Sequence, residues 1–255
     1  MIHKLITCML FLFSTFCSGQ HLTATKTVNI VGRQKVLVYS LARNYMAVGG
    51  RVRTDDAIKY LDKISAIFNE NQKRLMEYSS SKDAEAAIAI TNNIWSNYRM
   101  LLFDKPHVIN AESIISESKK LIEALIEVEN IIKADNPEIK ISKFYLICSK
   151  QRLLSQKMGM LYLANLWGVR YKSVEKEIKE TLALLESNLY TLFSIKCDSK
   201  AVYDALIVQR EDLAFINNII TSGVFKGATI YSNSNLMAKQ YDIISDLYAS
   251  LNLQS

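Results

Sequence analysis

Glycine and proline are scarce, with 8 and 2 residues in a chain of 255. Average usage is roughly 7% Gly and 5% Pro, so the turn-formers stand at about a third of their normal level. A sandwich or barrel needs a turn every ten residues or so, and a dinucleotide fold needs its glycine fingerprint; this composition suits neither. Histidine is almost missing: His3, His21 and His107 are the whole set. None lies beside a candidate nucleophile or at metal-ligand spacing from another ligand, and no Glu-x-x-His pair supports a di-iron bundle. The chain is therefore read as a non-enzyme, with no metal and no cofactor expected. Disorder is excluded as well, because 49% of the residues are hydrophobic and the formal charge is only +6. Long helices remain, in one large domain or two of about 120 residues.

The first nineteen residues stand apart. Lys4 precedes an apolar run from Leu5 to Phe16, and Ser18 and Gly19 follow. This is the pattern of a secretory signal peptide cleaved after Gly19; an uncleaved N-terminal anchor is the alternative, although the run is short of the ~20 residues that span a bilayer. A lipoprotein reading through Cys17 is weakened by the bulky Phe16 before it. No second apolar stretch of spanning length follows, so the expectation is an exported, periplasmic protein, soluble or held at the membrane through its N-terminus. Cys8 and Cys17 leave with the leader, and Cys148 and Cys197 remain. They could form one disulfide, or serve equally well as two buried thiols.

Helical periodicity recurs nearly everywhere after that. It predicts helices over 24–48, 54–79, 82–104, 109–134, 138–168, 172–195, 198–222 and 232–252, with Pro106 and Asp135-Asn136-Pro137 as punctuation. In the second helix, Thr54-Asp55-Asp56 supplies capping residues and Ile58, Leu61, Ile64 and Phe68 share a face. A repeat emerges when residues about 117 apart are compared. Gly32–Ala42 lies against Ser149–Gly159 with Gln34 on Gln151, Leu37 on Leu154, and Arg33-x-Lys35 on Lys150-x-Arg152. Tyr45 and Tyr162, then Ala47 and Ala164, continue the register. The predicted fold is all-α: two tandem antiparallel four-helix bundles, residues 20–135 and 136–255, after the signal peptide.

Positive charge is concentrated on the first helix of each half. Six bases and no acid lie between His21 and Thr54, and seven bases and no acid between Ile139 and Val174. The rest of the chain carries 18 bases against 25 acids. Solvated helices ordinarily mix signs at i,i+4, so this segregation points either to an anion site or to acids on neighbouring helices pairing across the bundle. In the 138–168 helix, Ile147, Leu154, Met158 and Leu161 form the expected core stripe. Ser149, Arg152, Ser155, Gln156 and Gly159 form a second face of small and polar side chains, matched in the first half by Gly32, Lys35, Val38, Tyr39 and Ala42. An Arg in a groove between helices suits a small oxyanion because its donors form a planar fork; a Lys is a less specific point charge.

At these residues the chain resembles the PilJ/NarX-type sensor domain, the extracytoplasmic part of type IV pilus chemotaxis transducers and nitrate/nitrite sensor kinases. The family motif runs roughly Ile-Asn-x-Ala-Gly-Arg-Gln-Arg-Met-Leu-Ser-Gln-Arg. Asn29-Ile30-Val31-Gly32-Arg33-Gln34-Lys35 keeps its opening, and Ser149-Lys150-Gln151-Arg152-Leu153-Leu154-Ser155-Gln156-Lys157-Met158 keeps its close. The resemblance implies a four-helix bundle that binds a nitrate- or nitrite-like anion between two first helices, held by the motif's central Arg. That position falls on Arg152 in the second copy and Lys35 in the first. The expected ligand-binding set is therefore Arg152, Lys35, Ser149, Ser155, Gln156, Tyr39, Gly32, Gln34 and Gln151, facing a shared pocket in an internal pseudo-dimer or a homodimer. No kinase or methyl-accepting region accompanies the motif in this sequence, which leaves three roles open: presenting a ligand to a membrane-bound signalling partner, acting as a free-standing binding protein, or using the bundle only for assembly.

Other classes weigh less. Export argues against nucleic acid as the partner of the basic helices. A non-enzymatic interaction protein, or attraction of the two basic segments to anionic lipid, is the alternative to small-anion binding. Glu123, Glu127 and Glu129 read as solvated faces. Trp95, Tyr98, Phe103, Trp167 and Tyr171 read as core and loop packing.

Overall fold

A computed structural model describes residues 22–169 and 173–251; the expected leader over 1–19 and Tyr171 lie outside the described residues. Eight helices and no strand are present among the described residues. They are α1 (Ala24–Gly49), α2 (Thr54–Met76), α3 (Lys82–Phe103), α4 (Val108–Asp135), α5 (Lys143–Trp167), α6 (Val174–Ser194), α7 (Lys200–Thr221) and α8 (Gly227–Leu251). The all-α expectation holds.

Side-chain caps decide several starts. Ser142 Oγ accepts from the Tyr145 amide at 3.2 Å, so α5 begins at Lys143 and not at 138. Thr23, Ser81 and Ser199 do the same for α1, α3 and α7. His107 caps α4, its Nδ1 accepting from the Ile109 amide at 3.3 Å. The expected caps of α2 act differently: Thr54 is already helical, and Arg53 before it sits in the left-handed region at φ 46° with its guanidinium on Asp56. The α2 core stripe is rotated as well. Leu61, Ile64 and Phe68 are buried, whereas Ile58 is exposed.

Packing singles out α1 and α5. α1 lies chiefly against α2, α4 and α5, and α5 against α6, α8 and α1; α2–α3, α3–α4, α6–α7 and α7–α8 are further neighbours, and α1 also touches α3 and α8. Every residue from Val38 to Ala47 and from Met158 to Ala164 is buried, so these two helices are enclosed on nearly all sides while the outer helices are amphipathic. Gly159 permits a close approach of three helices: a Cβ there would lie 2.4 Å from Ser234 Oγ on α8 and 2.9 Å from Arg43 Cδ on α1.

Polar bonds inside the two halves run in parallel. Gln34 Nε2 donates to the Phe68 carbonyl at 3.1 Å, and Gln151 Nε2 to the Leu185 carbonyl at 2.9 Å, each bond crossing 34 residues. The Tyr45 hydroxyl accepts from the His107 amide at 3.4 Å, and the Tyr162 hydroxyl from the Lys226 amide at 3.0 Å. Cys148 and Cys197 are free thiols, the first buried and the second half-buried. Phe103, read as packing, is half exposed.

Candidate functional site

Where α1 and α5 meet, they form the floor of a groove of about 420 Å³ whose walls are α2 and α8. Arg33, Val36, Leu37 and Ser40 enter from α1 at i, i+3, i+4, i+7, one stripe of that helix. Tyr60, Lys63, Ile64 and Ile67 enter from α2, and Arg152 with Gln156 from α5. α8 closes the groove with Asn235, Ala238, Lys239 and Asp242. Four cations therefore surround one carboxylate.

Arg152 is the buried member. Its side chain is 8% exposed, and Nη1 donates to Asp242, whose own side chain is 52% exposed. The Arg152 Nε and the Gln156 Oε1 are buried without a partner among the described residues. A buried polar atom left unmatched costs about 1–3 kcal/mol, so this end of the groove carries unused hydrogen-bonding capacity. Arg33, Lys63 and Lys239 are exposed and form no ion pair among the described residues.

Of the nine residues expected to bind ligand, only Arg152 and Gln156 line the groove. Lys35 turns to the other side of α1, where it and Lys133 both grip Glu129 of α4. Burial alone would push the Glu129 carboxyl up, but the two ammonium groups overcome it and hold its pKa below the usual glutamate value. Glu129 is thus an internal counter-ion and not a solvated face; Glu123 and Glu127 are exposed. Gln34 and Gln151 are fully buried and spend their amides on neighbouring helices. Ser155 is buried, its hydroxyl donating to the Gln151 carbonyl at 2.8 Å. Tyr39 is buried in the core, and Ser149 and Gly32 lie outside the groove, Gly32 beside open space.

The difference in the first half is one of phase. Each residue turns a helix by about 100°, so the stripe Gly32–Lys35–Tyr39 and the groove lining Arg33–Val36–Leu37–Ser40 are adjacent faces. Arg33 was visible in the motif and the i,i+3,i+4,i+7 pattern was legible. Tyr60, Lys63, Lys239 and Asp242 carried no local signal.

Pairing across helices also absorbs part of the basic excess. Glu177 of α6 accepts from Lys119 of α4 at 2.7 Å and lies 3.4 Å from Lys157 of α5. Burial opposes this charge too, and Lys119, Ser173 and Lys157 outweigh it, leaving the Glu177 pKa lowered. The expected pairing across the bundle therefore occurs for one group of cations, while Arg33 and Arg152 line an open groove. Among the described residues no cluster of metal-ligating side chains occurs, and no helix is long and apolar enough to cross a membrane. Compared with known proteins, the chain matches no protein-family model, no curated protein and no solved structure.

Proposed function

We propose that this is an exported sensory or ligand-binding protein of two tandem antiparallel four-helix repeats, similar to PilJ/NarX-type sensor domains, that binds a small anion between its two first helices. The observation that carries the reading is Arg152: a buried guanidinium with an unused Nε, in a groove where Arg33, Lys63 and Lys239 have no counter-ion. A desolvated Arg fork offers two parallel N–H donors to a planar oxyanion, and the surrounding cations raise the local anion concentration.

Support for the repeat comes from the paired bonds of Gln34 and Gln151 and of Tyr45 and Tyr162, and support for an internal pseudo-dimer from the packing of α1 on α5. The two halves are not equivalent on this reading. At the repeat offset, Glu177 stands where the groove has Tyr60, and it neutralises the cations on its side. One half-site is closed by its own carboxylate and the other is open, so one anion per chain is expected.

Calorimetric titration of the protein with nitrate and nitrite tests this. Binding at millimolar ligand or tighter, lost in Arg152→Ala and kept in Lys35→Ala, is the expected result; no heat, or unchanged binding in Arg152→Ala, overturns it. Sedimentation with anionic vesicles that survives Arg152→Ala would favour a surface-binding role instead.

A further inference from the structure

We infer that the ligand of the groove is an amphipathic organic monocarboxylate, whose carboxylate replaces that of Asp242 on Arg152 while its apolar body lies along α2. This rests on the anion-binding reading above and names the class of anion.

Size is the first argument. A groove of about 420 Å³ falls in the roughly 300–1,000 Å³ range of sites for organic ligands, far more than a three- or four-atom anion fills. The second is the lining away from Arg152. Tyr60, Ile64 and Ile67 follow one another on α2 at i, i+4, i+7, and Val36 and Leu37 face them from α1. Tyr60 and Ile67 remain 37% and 42% exposed, apolar surface left wet beside a cluster of cations. An inorganic anion would leave that surface in water, whereas an alkyl or aryl body would cover it.

The third argument is Asp242 itself. Arg152 already holds a carboxylate, so the guanidinium is oriented for one. Asp242 uses Nη1 only, from an exposed position on α8, and leaves Nε unmatched. A ligand carboxylate on Nη1 and its parallel neighbour Nη2 would take both prongs of the guanidinium fork, of which Asp242 uses one. Partly exposed ion pairs are worth little, so Asp242 can turn to solvent cheaply, with Arg33, Lys63 and Lys239 still balancing both acids. Asp242 thus holds the ligand's place when the groove is empty.

The test is calorimetry of the full chain with acetate, butyrate, hexanoate and octanoate at fixed ionic strength, with nitrate and octanol as controls. Affinity is expected to tighten about fourfold per buried methylene along the series. Asp242→Asn is expected to tighten octanoate up to about fivefold, and the uncharged Ile67→Asn to weaken octanoate at least tenfold more than it weakens nitrate. Arg152→Lys keeps the charge without the fork and should lose most of the carboxylate affinity even if Arg152→Ala folds poorly. If nitrate binds and every carboxylate binds like acetate, the ligand class is wrong and the anion reading stands. If octanol binds as tightly as octanoate, or no anion binds wild type or Asp242→Asn, both readings fall.

Discussion

The guanidinium carbon of Arg43 lies 4.8 Å from the centroid of the Tyr231 ring, and among the described residues no carboxylate reaches it. Arg43 is 1% exposed, between α1, α5 and α8, with Nη1 donating to Ser234 Oγ at 3.3 Å and Nε unmatched. Desolvation dominates its environment and lowers its pKa to about 10.

A buried cation with such weak compensation costs stability, so Arg43→Met should raise it by about 1–2 kcal/mol, a few degrees in Tm. The sign with pH follows. A base whose folded pKa lies below the ordinary 12.5 makes the unfolded chain bind more protons above pH 10, so wild type gains stability there. The advantage of Arg43→Met over wild type should therefore shrink as pH rises through 10, measured by urea denaturation.

Gly159→Ala should destabilise by about 1–3 kcal/mol, because its Cβ meets Ser234 Oγ at 2.4 Å and Ser234 Cβ at 2.8 Å in a fully packed contact. Removing the opposing side chain should restore part of the loss. In a double-mutant cycle with Ser234→Gly, a coupling energy near zero would show that the two helices do not meet there.

The parallel tyrosines make a matched pair. Tyr162→Phe should cost about 1–2 kcal/mol, because its hydroxyl accepts from the Lys226 amide and donates to the Val224 carbonyl at 3.3 Å, and Tyr45→Phe somewhat less because its bond from the His107 amide is 3.4 Å against 3.0 Å. Chemical denaturation of both variants measures this, and a loss in only one would speak against equivalent halves.

Acid sensitivity is expected from Glu129 and Glu177. Both have folded pKa values below the ordinary 4.5, so their stabilisation is complete above pH 4.5 and is lost as pH falls through the lowered values. Glu129→Gln should lower stability at neutral pH, where Lys35 and Lys133 lose their shared partner, and flatten the acid limb below pH 4.5 followed by circular dichroism.

The two thiols should separate cleanly. Burial above all pushes the Cys148 thiol up to about 11, while Cys197 is half-buried between α6 and α7. Of the two, a thiol reagent at neutral pH should modify Cys197 and spare Cys148 in the folded protein, and modify both in urea.

Much of the architecture was readable without coordinates. The shortage of glycine and proline ruled out β folds, and helical periodicity placed all eight helices to within a few residues. Where boundaries slipped, as at α5 and α8, a cap or an extra turn decided them, a contest of a few tenths to about 1 kcal/mol that periodicity does not see. Gln34 and Gln151, aligned by sequence alone, each donate to a carbonyl 34 residues on, and so act in packing and outside the groove.

The amino-acid sequence by itself determined helicity, the order of the elements and the loading of charge onto α1 and α5. Only the tertiary structure decided what those charges do. Local spacing defines a direction when one face alone is apolar, and the central turns of α1 and α5 are buried nearly all round with polar residues among the apolar ones, so their rotation is set by the neighbours they pack on. That rotation turned Lys35 towards Glu129, 94 residues away, and Arg33 into the groove; it brought Asp242, 90 residues away, onto Arg152. Pairings across such separations leave no mark on the local pattern. The same two basic helices therefore hold both a neutralised interior and an open groove.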